Sequence, residues 1–496
     1  MIKNEYVKQD EIEVVRIEQL VPQDHLLRQV DEVIDFSFVR RRMEPLYCKD
    51  NGRPAIDPVM LFKMLFIGYL FGIRSERQLV RDIEVNVAYR WFLHLNLTDV
   101  VPHHSTISQN RRRRFDGTDV FRQMFNDLVG LAYERGFIEG KVLYTDSTHL
   151  KANANNKKFK KVFVEENTRA YLDELEQAVN EDRKEHGKRS LPPSDKAPGD
   201  NHKEIKRSTT DPESGYMNRK RKPEGFFYLD TRTTDDALNL ITDVHVTPAN
   251  INDSIVYLDR LQHQIDTFGF EVEAVGLDAG YHTPHICNTL TKEGIFGVIS
   301  YRKPGGRKGL LRRSSFSYDS QNDHYICPEG QILKYRCTNR QGFREYVSDP
   351  AICASCPLLS KCTQSRNKQR ILTRHVWEGS IEEIKANRLS EKGERIRRRR
   401  SETVERSFAD AKQLHAYRYA RFRGRERVET QSLMTAMVQN IKKMVKIMIR
   451  TENTPDDGGK GRKTGQKHSI HSLFTPFLCH LRSFMQIIPK FRYFPG

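Results

Sequence analysis

The chain has 496 residues and a net charge of +18, with 83 Lys and Arg against 65 Asp and Glu. Because acidic residues are not scarce, this surplus of positive charge predicts a polyanionic partner, with counterion release supplying much of the affinity. A basic protein without such a partner is the alternative. The longest apolar run, residues 59–73, contains Lys63 and is too short to cross a bilayer, so we expect a cytoplasmic protein without a membrane span.

Residues 1–135 are predicted to form a helical, DNA-binding domain. Asp57-Pro58 is typical of a helix start, with a capping aspartate followed by a proline at the first helical position. The segment that follows, 59–71, is apolar nearly all round, so we expect it at the centre of the domain. Further helices are predicted near 86–94, 105–115 and 118–135.

The segment 103–115 combines a capping serine, polar side chains and four consecutive arginines. Helix N-terminal amides and arginine side chains both contact phosphates or base edges in DNA complexes. We therefore expect this helix to bind DNA, and a solvated basic helix face is the alternative. The arginines are Arg111, Arg112, Arg113 and Arg114.

Residues 136–301 are predicted to form the first part of an α/β domain, because two of their apolar segments each run into an aspartate. Residues 142–150 predict a buried strand that carries Asp146 at or near its end, and 272–282 repeat the pattern with Asp278. Strands alternate with helices around these two, which indicates one layered sheet. The other predicted elements are strands at 226–233, 237–248 and 295–299, and helices at 253–265 and 282–292.

Two segments interrupt this pattern. Residues 157–224 are charged and poor in aliphatic side chains, so we expect a partly disordered insertion that is mobile from 187 to 223. Residues 302–375 are rich in cysteine and contain a Cys-x-x-Cys motif, which in a reducing compartment predicts a small structural zinc site. Reduced thiols without a metal are the alternative, and Cys337 is the spare thiol. The predicted zinc ligands are Cys327, Cys353, Cys356 and Cys362.

Residues 376–450 are predicted to be helical and to complete the α/β domain, while 451–496 read as a linker and a basic, aromatic tail. One of the helices carries Glu405 between two arginine-rich stretches. Cutting or joining a phosphodiester needs an activated nucleophile and a stabilised leaving oxygen, and two divalent cations supply both. Mg²⁺ prefers hard oxygen ligands, so Asp146, Asp278 and Glu405 would suffice if they meet in one site.

The blocks around these three acids resemble those of DDE transposases of bacterial insertion sequences, over about residues 60–430. The blocks are Thr145-Asp146-Ser147-Thr148, Gly276-Leu277-Asp278-Ala279-Gly280-Tyr281 and Val404-Glu405-Arg406-Ser407-Phe408. Related branches carry a Lys after six further residues, and Lys412 lies at that spacing. They also carry an Arg and a Tyr before the Glu, where this chain has Ser401 and Arg398, so that half of the signature is absent.

The resemblance implies an RNase H-like mixed sheet flanked by helices, an all-α N-terminal transposase domain and a Cys-rich insertion before the Glu. It implies that Asp146, Asp278 and Glu405 bind two Mg²⁺, with Mn²⁺ as a substitute, and Glu402 is the rival third ligand. Lys412 would contact the DNA end, and Arg400 or Arg406 would replace the absent Arg. The implied partners are double-stranded DNA of the element ends and the target, and a second copy of the chain, without a small-molecule substrate. The implied location is the bacterial nucleoid.

Three functions follow from this reading. The first is a transposase that recognises element ends, cleaves DNA with Mg²⁺ and transfers the freed 3′-hydroxyl to target DNA. The second is a catalytically silent repressor that keeps the fold and binds DNA. The third is an RNase H-fold nuclease without strand transfer. All three acids are present, which argues against the second.

Overall fold

The computed structural model of the chain describes residues 12–48, 55–165, 169–192, 202–218, 223–301 and 309–452. The predicted tail therefore lies almost wholly outside the described residues. No helix in the described ranges is long and apolar enough to span a bilayer.

The N-terminal part is helical, as the sequence predicts. Its helices are α1 (Ile17–Leu20), α2 (Leu26–Val33), α3 (Ser37–Met43), α4 (Pro58–Leu70), α5 (Glu76–Val85), α6 (Val87–Phe92), α7 (His104–Asn110) and α8 (Val120–Glu134). Helix α4 begins where predicted, because the Asp57 carboxylate accepts hydrogen bonds from the backbone N–H groups of Val59 and Met60 at 2.8 and 3.0 Å. Lys63 in the buried face of α4 pairs with Asp31 at 2.5 Å, which compensates its charge.

A six-stranded mixed sheet follows. Its strands are β1 (Val142–Lys151), then, beyond the paired strands β2 (Phe159–Glu165) and β3 (His202–Ser208), β4 (Gly215–Met217), β5 (Gly225–Asp235), β6 (Ile241–Pro248), β7 (Ala274–Leu277) and β8 (Phe296–Ile299). The order is β4-β5-β1-β7-β8, with β6 also paired to β5. Strand β5 runs antiparallel to β1, while β7 and β8 run parallel to it. This is the mixed sheet that the sequence predicts.

Helices cover both faces of this sheet. They are α10 (Asp253–Phe268), α11 (Pro284–Lys292), α14 (Glu378–Leu389), α15 (Glu391–Arg400), α16 (Arg406–Leu414) and α17 (Arg425–Glu452). Three further helices lie in the two insertions: α9 (Arg169–Glu185) and the short α12 (Pro350–Cys353) and α13 (Leu359–Cys362). Helix α17 contacts β6 as well as α2, α4 and α8, so the N-terminal helices and one face of the sheet share a single apolar core. On the other face, Tyr144, Ala274 and Val298 pack against Ile396, Val404 and Phe408.

The charged insertion is more regular than predicted. Strands β2 and β3 pair antiparallel from Phe159↔Ser208 to Glu165↔His202, and β4 joins the main sheet. The sequence predicts that residues 187–223 are mobile, and their described part nevertheless contains β3 and β4. Half of the residues of β2 and β3 are Lys, Arg or Glu, so the backbone hydrogen bonds of this ladder form without the regular apolar alternation that marks a strand.

The Cys-rich segment forms a five-stranded antiparallel sheet. Its strands are β9 (Ser317–Asp319), β10 (His324–Ile326), β11 (Ile332–Thr338), β12 (Phe343–Val347) and β13 (Ile371–His375), in the order β13-β12-β11-β10-β9. Its own core consists of Phe316, Tyr325, Leu333, Tyr346 and Leu372. The sequence predicts only a small cysteine-held motif here, and the difference arises because aromatic side chains on short strands supply an apolar core.

Candidate active site

Two of the predicted acids lie side by side in the middle of the main sheet, Asp146 on β1 and Asp278 directly after β7. Strands β1 and β7 pair in parallel register up to Thr145↔Leu277, so Asp146 and Asp278 are the next residues on the two strands. The Asp278 carboxylate accepts a hydrogen bond from the Gly280 backbone N–H at 2.6 Å, which holds it in the 3-10 turn after β7. Parallel pairing thus brings together two acids that are 132 residues apart in the chain.

The third acid, Glu405, approaches the other two from the helices that pack on one face of the sheet. Residues Ser401–Glu405 form a π-helical turn between α15 and α16. A Cβ on Gly276 would lie 2.6 Å from the Tyr144 ring and 3.1 Å from Ile396, so a glycine lets α15 lie this close to β7. From the end of α15, Arg400 donates hydrogen bonds to Asp146 Oδ2 at 2.7 Å and to Glu405 Oε1 at 2.5 Å. One guanidinium therefore bridges two of the three predicted catalytic acids.

Glu402, the rival third ligand, points elsewhere. Its carboxylate pairs with Arg399 at 3.0 Å, and Arg399 also pairs with Asp236 at 2.9 Å. On a regular helix, residues three apart share a face, but the wider π-helical turn rotates Glu402 away from Glu405. The structure thus brings Glu405, and not Glu402, toward Asp146.

The electrostatics of the site disfavour the anionic forms of two of its acids. Burial raises the pKa of Asp146 above its ordinary value, and repulsion from Asp278 adds to this, against the opposing effect of Arg400. Burial also raises the pKa of Asp253, and here too Asp278 contributes. Acids whose anionic forms are penalised in this way favour an additional cation.

Asp253 is a nearby acid at the start of α10, where the sequence predicts a helix but no site residue. A Cβ on Gly280 would lie 2.9 Å from Asp278 Oδ1 and 3.6 Å from Asp253 Oδ1, so both carboxylates approach one point. The cap of α10 is Asn252, whose side chain accepts from the Ser254 N–H. Asp253 lies five residues after the end of β6, whereas Asp278 directly follows β7, so the sequence offered no strand-end signal for Asp253.

A hydrogen-bonded layer supports these acids from below. Ser147 Oγ lies 3.0 Å from the Tyr281 hydroxyl and 2.9 Å from the Thr231 hydroxyl, which ties β1 to the turn after Asp278 and to β5. Burial raises the pKa of Tyr281 well above its ordinary value, so this hydroxyl stays neutral. His149 is also half-buried on β1, with its ring against Phe227.

The predicted DNA-contacting side chains near the acids differ in exposure. Lys412 donates to the Thr148 hydroxyl at 2.6 Å, and Thr148 lies two residues after Asp146 on the same face of β1. Burial lowers the pKa of Lys412, with repulsion from Arg418 and Arg232 contributing. Arg406 is exposed at the start of α16.

The four N-terminal arginines do not form one open face. Arg111 pairs with Glu76 and lies over the Phe422 ring, 4.0 Å from its centroid. Arg114 donates to Asn110 and lies over the Tyr47 ring. Arg112 and Arg113 are exposed. The predicted basic stretch thus divides into two packed side chains and two that face solvent.

No group of three or more His, Cys, Asp or Glu side chains within the described ranges is arranged to hold a metal ion. At the carboxylates, the Arg400 guanidinium lies between Asp146 and Glu405 instead. The four predicted zinc ligands line one small cavity of about 40 Å³, where Cys353 donates to the Ser348 hydroxyl at 3.2 Å. The structure therefore gives the zinc site no direct support, and it stays a prediction.

Comparison with known proteins gives two matches to family models. Residues 15–113 match the model described as Transposase domain (DUF772), and residues 326–445 match a model described as Transposase DDE domain. The second match contains Glu405 and Lys412, while Asp146 and Asp278 lie between the two matched ranges. No curated protein matches the chain. The two matches confirm the resemblance to DDE transposases of insertion sequences.

Proposed function

We propose that this DDE transposase of the insertion-sequence type binds the ends of its element, cleaves DNA there and joins the freed ends to target DNA. The observation that carries the proposal is that Asp146, Asp278 and Glu405 lie together beside the central strands β1 and β7. They come from two parallel strands and a helical turn that are far apart in the chain. A capping or salt-bridge role explains one such acid, but not three in the same place with a fourth, Asp253, beside them.

The donor set fits a divalent cation. Its oxygens are hard ligands of the kind Mg²⁺ prefers, and Mn²⁺ would substitute. Arg400 supplies a positive charge between two of these carboxylates, which is where a cation is needed. Asp146, Asp278 and Glu405 would hold the metal, and bound divalent cations would activate the nucleophile and stabilise the leaving oxygen.

The surrounding side chains would hold and orient the DNA. From α16, Lys412 reaches Thr148 on β1, two residues after Asp146, where its ammonium would contact a phosphate next to the reacting one. Arg406, Arg112 and Arg113 are exposed and would contact phosphates further away. If these carboxylates bound a divalent cation instead, Arg400 would be free to contact a DNA phosphate.

We also propose a division of labour along the chain. Residues 1–135 would bind DNA, and 136–301 together with 376–450 would carry out the chemistry. Residues 302–375 would act as an insertion that contacts the substrate. By analogy with enzymes of this kind, two copies would act together on paired ends.

The test is to compare Asp146→Ala with Glu402→Gln. Metal-dependent nicking of supercoiled DNA is measured together with DNA affinity at fixed salt concentration. We expect Asp146→Ala to lose nicking and keep its affinity, because the carboxylate serves the chemistry and not the phosphate contacts. Glu402→Gln should keep both, since this residue pairs with Arg399 outside the site.

Equal loss of nicking and affinity in Asp146→Ala would refute the catalytic assignment. An unsubstituted protein that binds DNA without any metal-dependent nicking would be a silent repressor. A strand-transfer assay with pre-cleaved ends then separates a transposase from a nuclease, because only the transposase joins those ends to a second DNA.

A further inference from the structure

A groove of about 1200 Å³ lies between the Cys-rich sheet, helix α14 and the ends of the main sheet. His282 and Tyr301 line its main-sheet side, with ring centroids 5.1 Å apart. His282 follows Asp278 by four residues, so the groove begins within about 14 Å of the carboxylates, given the reach of an extended chain. The described cavity is therefore next to the candidate active site and not part of it.

The groove carries a surplus of positive charge. Six Arg or Lys side chains and two Glu side chains line it. Both glutamates are engaged by arginines, since Arg313 pairs with Glu378 at 2.8 Å and Arg374 with Glu382 at 2.7 Å. The lining cations that form no ion pair with these carboxylates are Arg312, Arg370, Lys385 and Arg388, of which Lys385 still attracts Glu382 at longer range.

Three of these cations form no side-chain hydrogen bond or ion pair with a described residue. Arg370 is held by the carbonyl oxygens of Cys362 and Leu311, so it supports the Cys-rich sheet. By contrast, Arg312 and Lys385 are exposed and form no hydrogen bond or ion pair in the described ranges. Arg388 is half-buried, and its Nε is shielded from solvent without a hydrogen-bond partner among the described residues. A donor left in this state favours an acceptor from outside the chain.

We propose that this groove binds the single DNA strand that flanks the scissile phosphate. Arg312, Lys385 and Arg388 would hold its phosphates, while Tyr301 and His282 offer ring faces to its bases. A basic channel that also carries aromatic side chains is typical of sites that bind single-stranded nucleic acid independently of sequence. This inference rests on the proposed function, because it takes the carboxylates as the place where the strand is cut.

The experiment compares two double variants that each remove two positive charges. Arg312→Gln with Lys385→Gln changes exposed groove residues, so the fold should be kept. Lys184→Gln with Lys334→Gln is the matched control, on exposed positions of α9 and β11 outside the groove. The probes are a fluorescein-labelled blunt duplex of arbitrary sequence and the same duplex with a single-stranded tail, and their affinities are measured over a range of salt concentrations.

We expect the groove variant to bind the tailed probe with a salt dependence whose slope is lower by about 1.4, since each single-strand phosphate contact contributes roughly 0.7. Its affinity for the blunt duplex should match that of the control. Identical slopes for the two variants on the tailed probe would overturn the groove assignment. Nicking by the unsubstituted protein reports the proposed function separately, so a nicking enzyme with unchanged slopes would lose the groove inference alone.

Discussion

The main sheet and the Cys-rich sheet differ in how deeply they bury charged side chains. Every residue of β5 is buried, including Asp230 and Arg232, which pair at 2.8 Å with neither side chain exposed. In β11 of the Cys-rich sheet, buried and exposed residues largely alternate. Its charged pair, Arg336 with Glu345, has the arginine side chain 47% exposed.

The difference follows from how the sheets are covered. Helices pack on both faces of the main sheet, so a charge within it must be paired, as Asp230 is with Arg232 and Asp146 with Arg400. The Cys-rich sheet instead contributes cationic side chains to a surface groove. One sheet is thus built to position a few acids, and the other to present a surface.

The largest expected effect concerns the buried ion pair. Arg232→Met should destabilise the chain by about 3–5 kcal/mol, because it leaves the Asp230 charge buried without compensation. The control, Arg336→Met, should cost only about 0–1 kcal/mol, since the Arg336 side chain is 47% exposed. Urea denaturation followed by circular dichroism measures both. Equal losses of stability would mean that the two sheets do not differ in how strongly they depend on their ion pairs.

The next effect concerns the cysteines, and it is confined to the Cys-rich sheet. If the four thiols that line the small cavity bind zinc, the purified chain should carry zinc in an equal molar amount, and Cys356→Ser should lose it. Cys337→Ser should retain the metal, because Cys337 lies on β11 outside that cavity. The zinc content is measured by elemental analysis after dialysis. An unsubstituted protein without zinc would mean that the four cysteines are reduced thiols and not metal ligands.

The smallest expected effect concerns Arg400. Arg400→Gln should bind Mn²⁺ several-fold more tightly in the absence of DNA, because the guanidinium no longer competes for Asp146 and Glu405. Arg399→Gln is the control, since Arg399 pairs with Glu402 and Asp236. Electron paramagnetic resonance of free Mn²⁺ measures the affinities. The same affinity in both variants would argue against metal binding at these carboxylates.

Much of the fold was predictable because its signals are local. Three features depend on residues that are only a few positions apart in the sequence. They are the Asp57 cap, the apolar helix after it and the strands that lead to Asp146 and Asp278. The β2–β3 pair and the Cys-rich sheet escaped prediction, because a ladder with charges at half of its positions and short aromatic strands carry little periodicity. Asp253 escaped for a related reason, since an acid at a helix start reads first as a cap.

By itself, the sequence determined which residue types are available for the chemistry: two aspartates after apolar strands, an acid in a helix and an excess of arginine. Only the tertiary structure decided which of them meet. Parallel pairing of β1 and β7 sets Asp146 beside Asp278. The π-helical turn directs Glu405, and not Glu402, toward Asp146. Packing of α15 on Gly276 brings Arg400 between the acids. These are long-range contacts, and local side-chain patterns cannot specify them because they act over only a few residues.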